Sequence, residues 1–300
     1  MENTNFSFLK EKLESEYENT WVEKIIDGYN CHRKTTFRIN TLKIDKKFVL
    51  DELKKNNIFV EEVSWYKDAF ILKEKKEQNL FELELYKEGY IYLQSLSSML
   101  PVLFLNPKEN DHILDMASSP GSKTTQIATL LQNKGCITAC EVNKARLERL
   151  KYNLQKQGVT CCTTMLIDAR NLDNFFSFDK ILLDAPCSGS GTLSSTFHNH
   201  QFFTENLIEK TSKIQVDLLK KALQLLKPNQ EMIYSTCSIL KEENENVLER
   251  VKKEFDISIV PITFEDEHVC FLPVKIEGTI CVCPNEYYEG FFIAKIRKNK

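Results

Sequence analysis

The sequence lacks any hydrophobic segment that could direct it into or across a membrane. Its first residues, MENTNFSFLKEKLESEYENT, are charged and polar and contain no apolar core of a signal peptide. No run of about 18 apolar residues, the length that spans a bilayer, occurs anywhere. We therefore expect a cytosolic protein with no membrane partner.

The spacings that commonly hold a metal ion are also missing. The sequence has 10 cysteines but no CxxC pair: Cys281 and Cys283 are separated by one residue, and Cys161 and Cys162 are adjacent. Structural zinc sites need pairs at wider, regular spacing, so we predict no metal. In a reducing compartment the cysteines should be thiols, most of them small buried residues and one or two of them chemically active.

A general excess of basic charge is absent as well, since the net charge is -3. Proteins that bind nucleic acid without specificity usually carry a clear basic excess, so any RNA contact must come from a local patch. Such a patch is formed by Arg33, Lys34, Arg38, Lys43, Lys46 and Lys47, interleaved with Phe37 and Phe48. Its alternative interpretation is an ordinary solvated surface.

What is present is an ordinary globular composition, 42% hydrophobic and 28% charged over 300 residues, without repeats or low-complexity tracts. This length suits one large domain or two smaller ones. Residues 36–72 read as strand, amphipathic helix and two strand-like pieces, which predicts a small α+β lobe. The apolar stretch 90–105 predicts a packed helix that leads into the next domain.

After Asp111 the pattern alternates regularly between strand and helix. Alternation of this kind predicts an α/β fold with right-handed crossovers and a largely parallel sheet. In such a sheet a ligand binds at the carboxyl ends of the strands.

The loop after the first of these strands, DMASSPGSKT (115–124), turns sharply into a helix. Small residues allow a ligand to approach the backbone, and the helix start offers free N–H groups. A P-loop would need glycine at Ala117 and at Ser122, and a dinucleotide motif GxGxxG is also absent. We therefore reject both phosphate-binding alternatives.

Three predicted strands end in acidic residues, Asp115, Glu141 and Asp168. Glu141 could accept hydrogen bonds from two ribose hydroxyls, and Asp168 is placed to meet an adenine amino group. Each carboxylate taken alone could simply cap a helix. Together they predict an adenosine-bearing ligand without a pyrophosphate.

Two cysteines follow the next strands of the predicted sheet. Cys187 comes shortly after Asp184, and Cys237 lies at the end of the following strand. Most cysteines in such a chain are structural, but both of these should lie at the carboxyl edge beside the predicted ligand.

Six segments make the chain resemble the Nol/Nop/Sun (RsmB/RsmF-like) family of RNA cytosine-5 methyltransferases. They are RINTLKI, YLQSLSSMLPVLFLNP, DMASSPGSKTTQIA, DAPCSGSGT, STCSILKEENENVL and the terminal GFFIAKIRK. The resemblance implies a Rossmann-like class I methyltransferase fold with a mostly parallel seven-stranded sheet, preceded by an α+β RRM-like lobe. We assign residues 1–92 to this RNA-guiding lobe and 93–300 to the catalytic domain.

The resemblance also implies the residue roles. Cys237 would be the nucleophile that adds to carbon 6 of cytosine, Cys187 would assist product release, and Asp184 would contact the cytosine N3/N4 edge. S-adenosyl-L-methionine would be held by Ala117, Ser118, Ser119, Pro120, Gly121, Ser122, Lys123, Glu141, Asp168 and Asp184. The RNA partner would be rRNA or tRNA, contacted through Arg33, Lys34, Arg38 and Lys43, and we expect the protein to act as a monomer.

Some alternatives stay open at this point. DNA cytosine-5 methyltransferases place their nucleophile at the PC motif and lack the second cysteine, so the pair favours RNA. A methyltransferase of another base or of protein, or a catalytically idle RNA-binding protein, would also fit the fold. The loop from Thr192 to Phe203 departs from the family pattern, and we expect His198 and His200 within it to be surface residues.

Overall fold

The computed structural model of the chain describes residues 4–74, 77–193 and 203–300, with side chains from Ser7 onward. Helices and strands account for most of this length. The helices are α1 (Thr4–Glu16), α2 (Asn19–Asn30), α3 (Lys46–Lys55), α4 (Gln78–Phe81), α5 (Glu84–Lys87), α6 (Leu96–Leu105), α7 (Ser122–Leu130), α8 (Lys144–Lys156), α9 (Glu205–Leu225) and α10 (Glu245–Lys252). The strands are β1 (Thr36–Ile39), β2 (Val60–Glu62), β3 (Ala69–Leu72), β4 (Ile91–Leu93), β5 (His112–Asp115), β6 (Cys136–Glu141), β7 (Cys162–Leu166), β8 (Phe178–Asp184), β9 (Leu226–Thr236), β10 (Ile257–Val260), β11 (Ile280–Val282) and β12 (Phe291–Lys298).

The small lobe is an antiparallel sheet in the order β2-β3-β1-β4. One face of this sheet packs on α3, whose N-terminus is capped by the Asp45 side chain and whose Val49 and Leu53 are buried. On the opposite face, Ala69 and Ile71 join the same apolar cluster as α6. The lobe is therefore packed between its own helix and the large domain.

The large sheet has the strand order β10-β12-β9-β8-β5-β6-β7, and β11 pairs with β12 outside this path. Neighbouring strands from β9 to β7 are parallel, whereas β12 is antiparallel to β9, β10 and β11. The predicted Rossmann-like fold, with a mostly parallel sheet and a small lobe before it, is confirmed. The strand order reverses between β5 and β8, which is where such sheets open a crevice for a ligand.

Two parts of the architecture differ from the sequence prediction. The stretch expected to be one packed helix contains β4 before α6 begins, because Ile91 to Leu93 complete the small sheet beside β1. The predicted domain boundary after residue 92 falls within this strand, and as a division into folding units it stays a prediction. Ser95 caps α6, so the helix begins only after the strand has ended.

Helices α1 and α2 were not predicted from the sequence. They precede the small lobe in the chain, yet Leu13, Ile25 and Tyr29 are buried in the same apolar cluster as the core of the large sheet. Because the segments in contact lie far apart in the sequence, no local sequence pattern predicts this contact. Among the described residues, no helix is long and apolar enough to cross a membrane.

Candidate active site

The loop between β5 and α7 is held against its neighbours by side chains of small residues. Ser118 donates a hydrogen bond to the carbonyl oxygen of Cys140 at 2.8 Å, and Ser119 donates to that of Arg146 at 2.8 Å. Gly121 adopts a left-handed φ of 105°, and a Cβ there would lie 2.9 Å from Leu150. The loop is thus anchored to β6 and α8, and its backbone faces the crevice.

A first cavity of about 430 Å³ opens at the carboxyl ends of β5, β6, β7 and β8, and we name it the Glu141 cavity. Glu141 is 4% exposed, accepts a hydrogen bond from the backbone N–H of Asn143 at 2.8 Å, and lies 3.4 Å from Arg146 Nε. Asp168 forms a two-pronged contact with Arg170, whose hydrogen bonds lower the pKa of the Asp168 carboxyl. Both carboxylates are therefore held as acceptors at the cavity wall.

Most of the remaining Glu141 cavity wall is apolar, apart from Ser119, Arg146, Arg170 and Asp184. Val142, Ile167, Ile214 and Leu218 line it, together with Ala117 of the loop. An apolar slot beside two carboxylates suits a nucleoside, because the base needs a hydrophobic surface and the ribose hydroxyls need acceptors. These carboxylate acceptors and apolar residues thus fit S-adenosylmethionine, and the described wall of the cavity has no binding site for a pyrophosphate.

A second cavity of about 410 Å³, the Ser98 cavity, lies next to the first. The two cavities share Ala117, Ser119, Asp184 and Cys237 in their walls. A methyl donor in one cavity could therefore reach a substrate in the other at this shared wall. Of these two cavities, the predicted loop residues Ser118, Pro120, Ser122 and Lys123 line the Ser98 cavity and not the Glu141 cavity.

Asp184 is the charged centre of the shared wall. Lys123 Nζ lies 2.8 Å from Asp184 Oδ2 and also donates to Ser98 Oγ at 2.7 Å, and Ser235 donates to Asp184 Oδ1 at 2.8 Å. Lys123 is only 8% exposed, and a buried ammonium needs such partners to offset its desolvation. Lys123 is thus oriented toward Asp184.

Asp115 lines the Ser98 cavity and is fully buried. Its burial raises the pKa of its carboxyl to about 6, opposed by a hydrogen bond from Thr124 and reinforced by the charge of Asp184. The donor Thr124 Oγ1 lies 2.7 Å from Asp115 Oδ2. Two carboxylates near one lysine therefore compete for the same positive charge.

The two predicted cysteines meet in the wall of the Glu141 cavity. Cys187 Sγ lies 3.1 Å from Cys237 Sγ, and both are free thiols, as are the other eight cysteines. The hydrogen bond with Cys237, followed by burial, raises the pKa of the Cys187 thiol. The protonated form of Cys187 is thus favoured.

Close backbone packing holds the two cysteine loops together. The N–H of Gly191 donates to the carbonyl oxygen of Cys237 at 2.9 Å, and a Cβ at Gly191 would lie 2.0 Å from the carbonyl oxygen of Gly290. Any side chain at Gly191 would push β12 away from these loops. Glycine is therefore required at position 191 of the DAPCSGSGT segment because two backbones lie in contact there, and not because a turn needs an unusual φ angle.

Glu243 is a positioning residue that the sequence interpretation missed. It is fully buried and accepts hydrogen bonds from Ser188 N at 2.8 Å, Ser188 Oγ at 2.5 Å and Thr211 Oγ1 at 2.6 Å. It thereby ties the loop of Cys187 to α9. The sequence signal that could have indicated Glu243 is the ENE run in the STCSILKEENENVL segment. A carboxylate within a segment that is otherwise packed needs hydrogen-bond partners.

The predicted RNA-contacting cations have different surroundings. The prediction of Arg38 as a surface cation is wrong: it is 0% exposed, and its guanidinium donates to Gln94, Thr125 and the carbonyl oxygen of Ser122. Both faces of β1 are covered, so a basic residue on this strand has no route to solvent.

The other three cations lie nearer the surface. Arg33 is partly buried and lies 3.9 Å from Glu289, while Lys34 is exposed and lies 3.8 Å from Glu286. Lys43 is exposed and donates to the backbone oxygens of Glu88 and Lys156. Contacts of these three residues with RNA stay predictions. Most of the loop from Thr192 to Phe203, including His198 and His200, lies outside the described residues.

One group in the described part of the chain has a spacing that could hold a metal ion, namely Glu61, Glu267 and His268. It contains no cysteine, and none of its members lines either cavity. Exposed carboxylates often cluster in this way without an ion, so the group carries no assignment.

Comparison with known proteins agrees with this geometry. A model of the 16S rRNA methyltransferase RsmB/F family matches residues 102–297, and a model of the RsmF/B-like ferredoxin-like domain matches residues 7–78. Among solved structures, a methyltransferase homologue from Pyrococcus horikoshii is 31% identical, with a TM-score of 0.79 over 97% of this chain and 98% of its own.

Curated relatives carry the name ribosomal RNA small subunit methyltransferase F. The protein from Shewanella piezotolerans is 33% identical over 99% of this chain and 64% of its own length, and that from Vibrio campbellii is 34% identical over 92% and 59%. The chain thus spans about three fifths of the length of these relatives. With the family model covering most of the chain, it belongs to the RsmB/F family of 16S rRNA methyltransferases, whose methyl donor is S-adenosylmethionine.

Proposed function

We propose that this protein methylates carbon 5 of a cytosine in RNA, with Cys237 as covalent nucleophile. The observation that carries the proposal is the 3.1 Å contact between the Cys187 and Cys237 sulfurs in the wall of the Glu141 cavity, where Cys237 also lines the Ser98 cavity. A methyltransferase acting on a more nucleophilic atom would need neither thiol. Two thiols beside a carboxylate suit a base that must first be activated.

Carbon 5 of cytosine is a poor nucleophile, so the reaction begins at carbon 6. The Cys237 thiolate forms a bond to carbon 6, the electron pair of the C5–C6 double bond shifts to C4–C5, and the displaced C4–N3 electron pair takes a proton from water at N3. Asp184 accepts hydrogen bonds from the N3/N4 edge and favours this protonated adduct. Lys123 and Ser235, each 2.8 Å from an Asp184 oxygen, keep that carboxylate oriented toward the base.

Bound S-adenosylmethionine supplies an electrophilic methyl group to carbon 5 of the activated ring. After the methyl group is in place, the C5 proton passes to water, its bonding electrons restore the C5–C6 double bond, the C6–sulfur bond breaks, and N3 returns its proton to water. Cys237 then leaves as a thiolate. Cys187, whose raised pKa keeps its thiol protonated, donates a hydrogen bond to the leaving sulfur and eases its release.

The substrate that the relatives' names support is small-subunit ribosomal RNA, and tRNA is the alternative. Unmodified transcripts of 16S rRNA and of total tRNA should be incubated with the protein and S-adenosylmethionine, and then sequenced after bisulfite treatment. We expect a protected cytosine in the rRNA. Protection in tRNA alone would change the substrate but not the reaction.

The mechanism is tested with a short RNA that carries 5-fluorocytidine at the target position. Fluorine cannot leave carbon 5 as a proton does, so the covalent adduct should persist after methyl transfer and survive denaturing electrophoresis. Cys237→Ala should form no adduct, whereas Cys31→Ala, an exposed thiol outside both cavities, should behave as wild type. A methylated base other than 5-methylcytosine, or RNA binding without any transfer, would contradict the proposal.

A further inference from the structure

A third, smaller cavity lies at the junction between the small lobe and α8. Its volume is about 180 Å³, and we name it the Tyr86 groove. It is lined by Tyr86, Tyr92, Pro120, Asn153, Lys156 and Gln157. Tyr92 and Pro120 also line the Ser98 cavity, so the groove continues directly from the cavity that the target base would enter.

The groove offers aromatic surface with a cation on it. Lys156 Nζ lies 4.2 Å from the ring centroid of Tyr86. The Tyr92 ring is supported by Arg38, whose guanidinium carbon lies 4.9 Å from its centroid. Because Arg38 is itself held by hydrogen bonds to Gln94 and Thr125, Tyr92 forms a fixed platform.

One lysine, Lys156, lines this groove, and a second lysine contacts its backbone. Lys43 of the small lobe donates to the backbone oxygen of Lys156 at 3.1 Å. Burial lowers the pKa of Lys156, and the charge of Lys43 lowers it further, against the opposing charge of Glu88. Neither lysine has a carboxylate within ion-pair distance in the described part of the chain, so an anion would relieve their repulsion.

Gln157 provides an independent sign that a ligand belongs here. It is 2% exposed, and its Oε1 has no hydrogen-bond donor among the described residues. A buried amide oxygen without a partner costs free energy unless a ligand or water donates to it. Ribose hydroxyls and base amino groups are donors of this kind.

We propose that the Tyr86 groove binds the nucleotide adjacent to the methylated cytosine. Its base stacks against Tyr86 and Tyr92, its phosphate lies beside Lys156, and Gln157 accepts a hydrogen bond from its sugar or base. The volume admits a single base, and the continuity with the Ser98 cavity makes that base the immediate neighbour of the target. This inference rests on the proposed RNA substrate.

The first test measures the affinity for a short single-stranded RNA that contains one cytosine, by fluorescence anisotropy at several salt concentrations. Lys156→Ala should weaken binding about five-fold and reduce the salt slope by about one phosphate contact. Lys151→Ala, on the same helix but paired with Glu148 and outside the groove, should change neither value. Equal affinity and slope for both variants would overturn the phosphate site.

The second test examines stacking. Tyr86→Ala should weaken RNA binding about ten-fold, and Tyr86→Phe, which keeps the ring, should restore it. Placing an abasic nucleotide beside the target cytosine should weaken binding to the wild type but not to Tyr86→Ala. If the abasic RNA lost the same affinity with both proteins, the base would not lie on Tyr86.

Kinetics then separate this inference from the proposed reaction. The KM for RNA should rise in Lys156→Ala and Tyr86→Ala, while kcat and the KM for S-adenosylmethionine stay at wild-type values. RNA that is methylated with an unchanged KM in both variants would refute the groove and leave the reaction intact. Binding that follows the groove variants while no RNA is ever methylated would refute the reaction alone.

Discussion

Cys187 Sγ lies 3.1 Å from Cys237 Sγ, although the two residues follow different strands of the sheet. The contact raises the pKa of Cys187 and so favours the protonated form of this thiol. Parallel strands β8 and β9 are neighbours, which is why residues just beyond their carboxyl ends meet. The proposed division of labour between the cysteines depends on this contact.

Substitutions at the two cysteines should therefore have opposite effects on the amount of covalent protein–RNA complex. Cys237→Ala should abolish methylation, because no other thiol can form the bond to carbon 6. Cys187→Ala should slow product release, so that a covalent protein–RNA complex accumulates on ordinary cytosine-containing RNA. Denaturing electrophoresis and mass spectrometry measure the complex, and wild-type turnover in Cys237→Ala would show that the roles are assigned wrongly.

Removing the charge of Lys123 should impair the chemical step more than binding. Lys123→Met leaves Asp184 without its cation at 2.8 Å, and we expect kcat to fall by about a hundred-fold. Lys134→Met, at an exposed lysine paired with Glu109, is the matched control. Single-turnover methylation assays compare the two, and a fall confined to KM would mean that Lys123 serves binding only.

The affinity for S-adenosylmethionine should depend on the buried carboxylate at the end of β6. Glu141→Gln keeps the shape but removes the charged acceptor, and we expect the Kd to rise about ten-fold, as for a lost charge-assisted hydrogen bond. Isothermal titration calorimetry in the absence of RNA measures it. Glu148→Gln on the exposed face of α8 should leave the Kd unchanged, and equal Kd values for both variants would contradict the assignment.

The stability of the protein should carry a pH dependence from Asp115. Burial raises its pKa in the folded state to about 6, so the folded protein holds this proton more tightly than the unfolded chain. The stabilisation is present at low pH and is lost as the pH rises from about 4 to about 7, an effect of about 3 kcal/mol. Asp115→Asn cannot ionise and should escape this loss.

Denaturant unfolding of the wild type and of Asp115→Asn at several pH values isolates the contribution. The difference between their free energies of unfolding should move in favour of the variant as the pH rises, and should level off above about pH 7. The hydrogen bond from Thr124 can be made to either side chain, so it contributes little to the trend. A difference that does not vary with pH would mean that Asp115 has the same pKa in the folded and unfolded states.

Features of the fold and of the site that depend on residue patterns over a short stretch of sequence were predictable. The alternation of strand and helix after Asp111 predicted the large sheet, and the strand-end positions of Glu141, Asp184 and Cys237 predicted where these side chains meet. The reason is that parallel strands bring their carboxyl ends to one edge whatever the loops contain. The roles of these residues in catalysis stay predictions.

Arg38 shows where the sequence misled. A basic residue among other basic residues suggests a solvated surface, but β1 is covered by α3 on one face and by the large domain on the other. Its guanidinium is consequently part of the internal network that supports Tyr92. Only the packing of the small lobe on the large domain decided this, because local patterns carry no information about which surfaces meet.

The sequence by itself determined the alternation of strand and helix after Asp111, the family resemblance and the two cysteine motifs, since these depend on residue types at short spacing. The tertiary structure decided the contact of Cys187 with Cys237, the pairing of Lys123 with Asp184, and the docking of α1 and α2 on the large sheet. Each joins segments far apart in the chain. Contacts between distant segments follow from how buried surfaces pack, and no periodicity in the sequence predicts them.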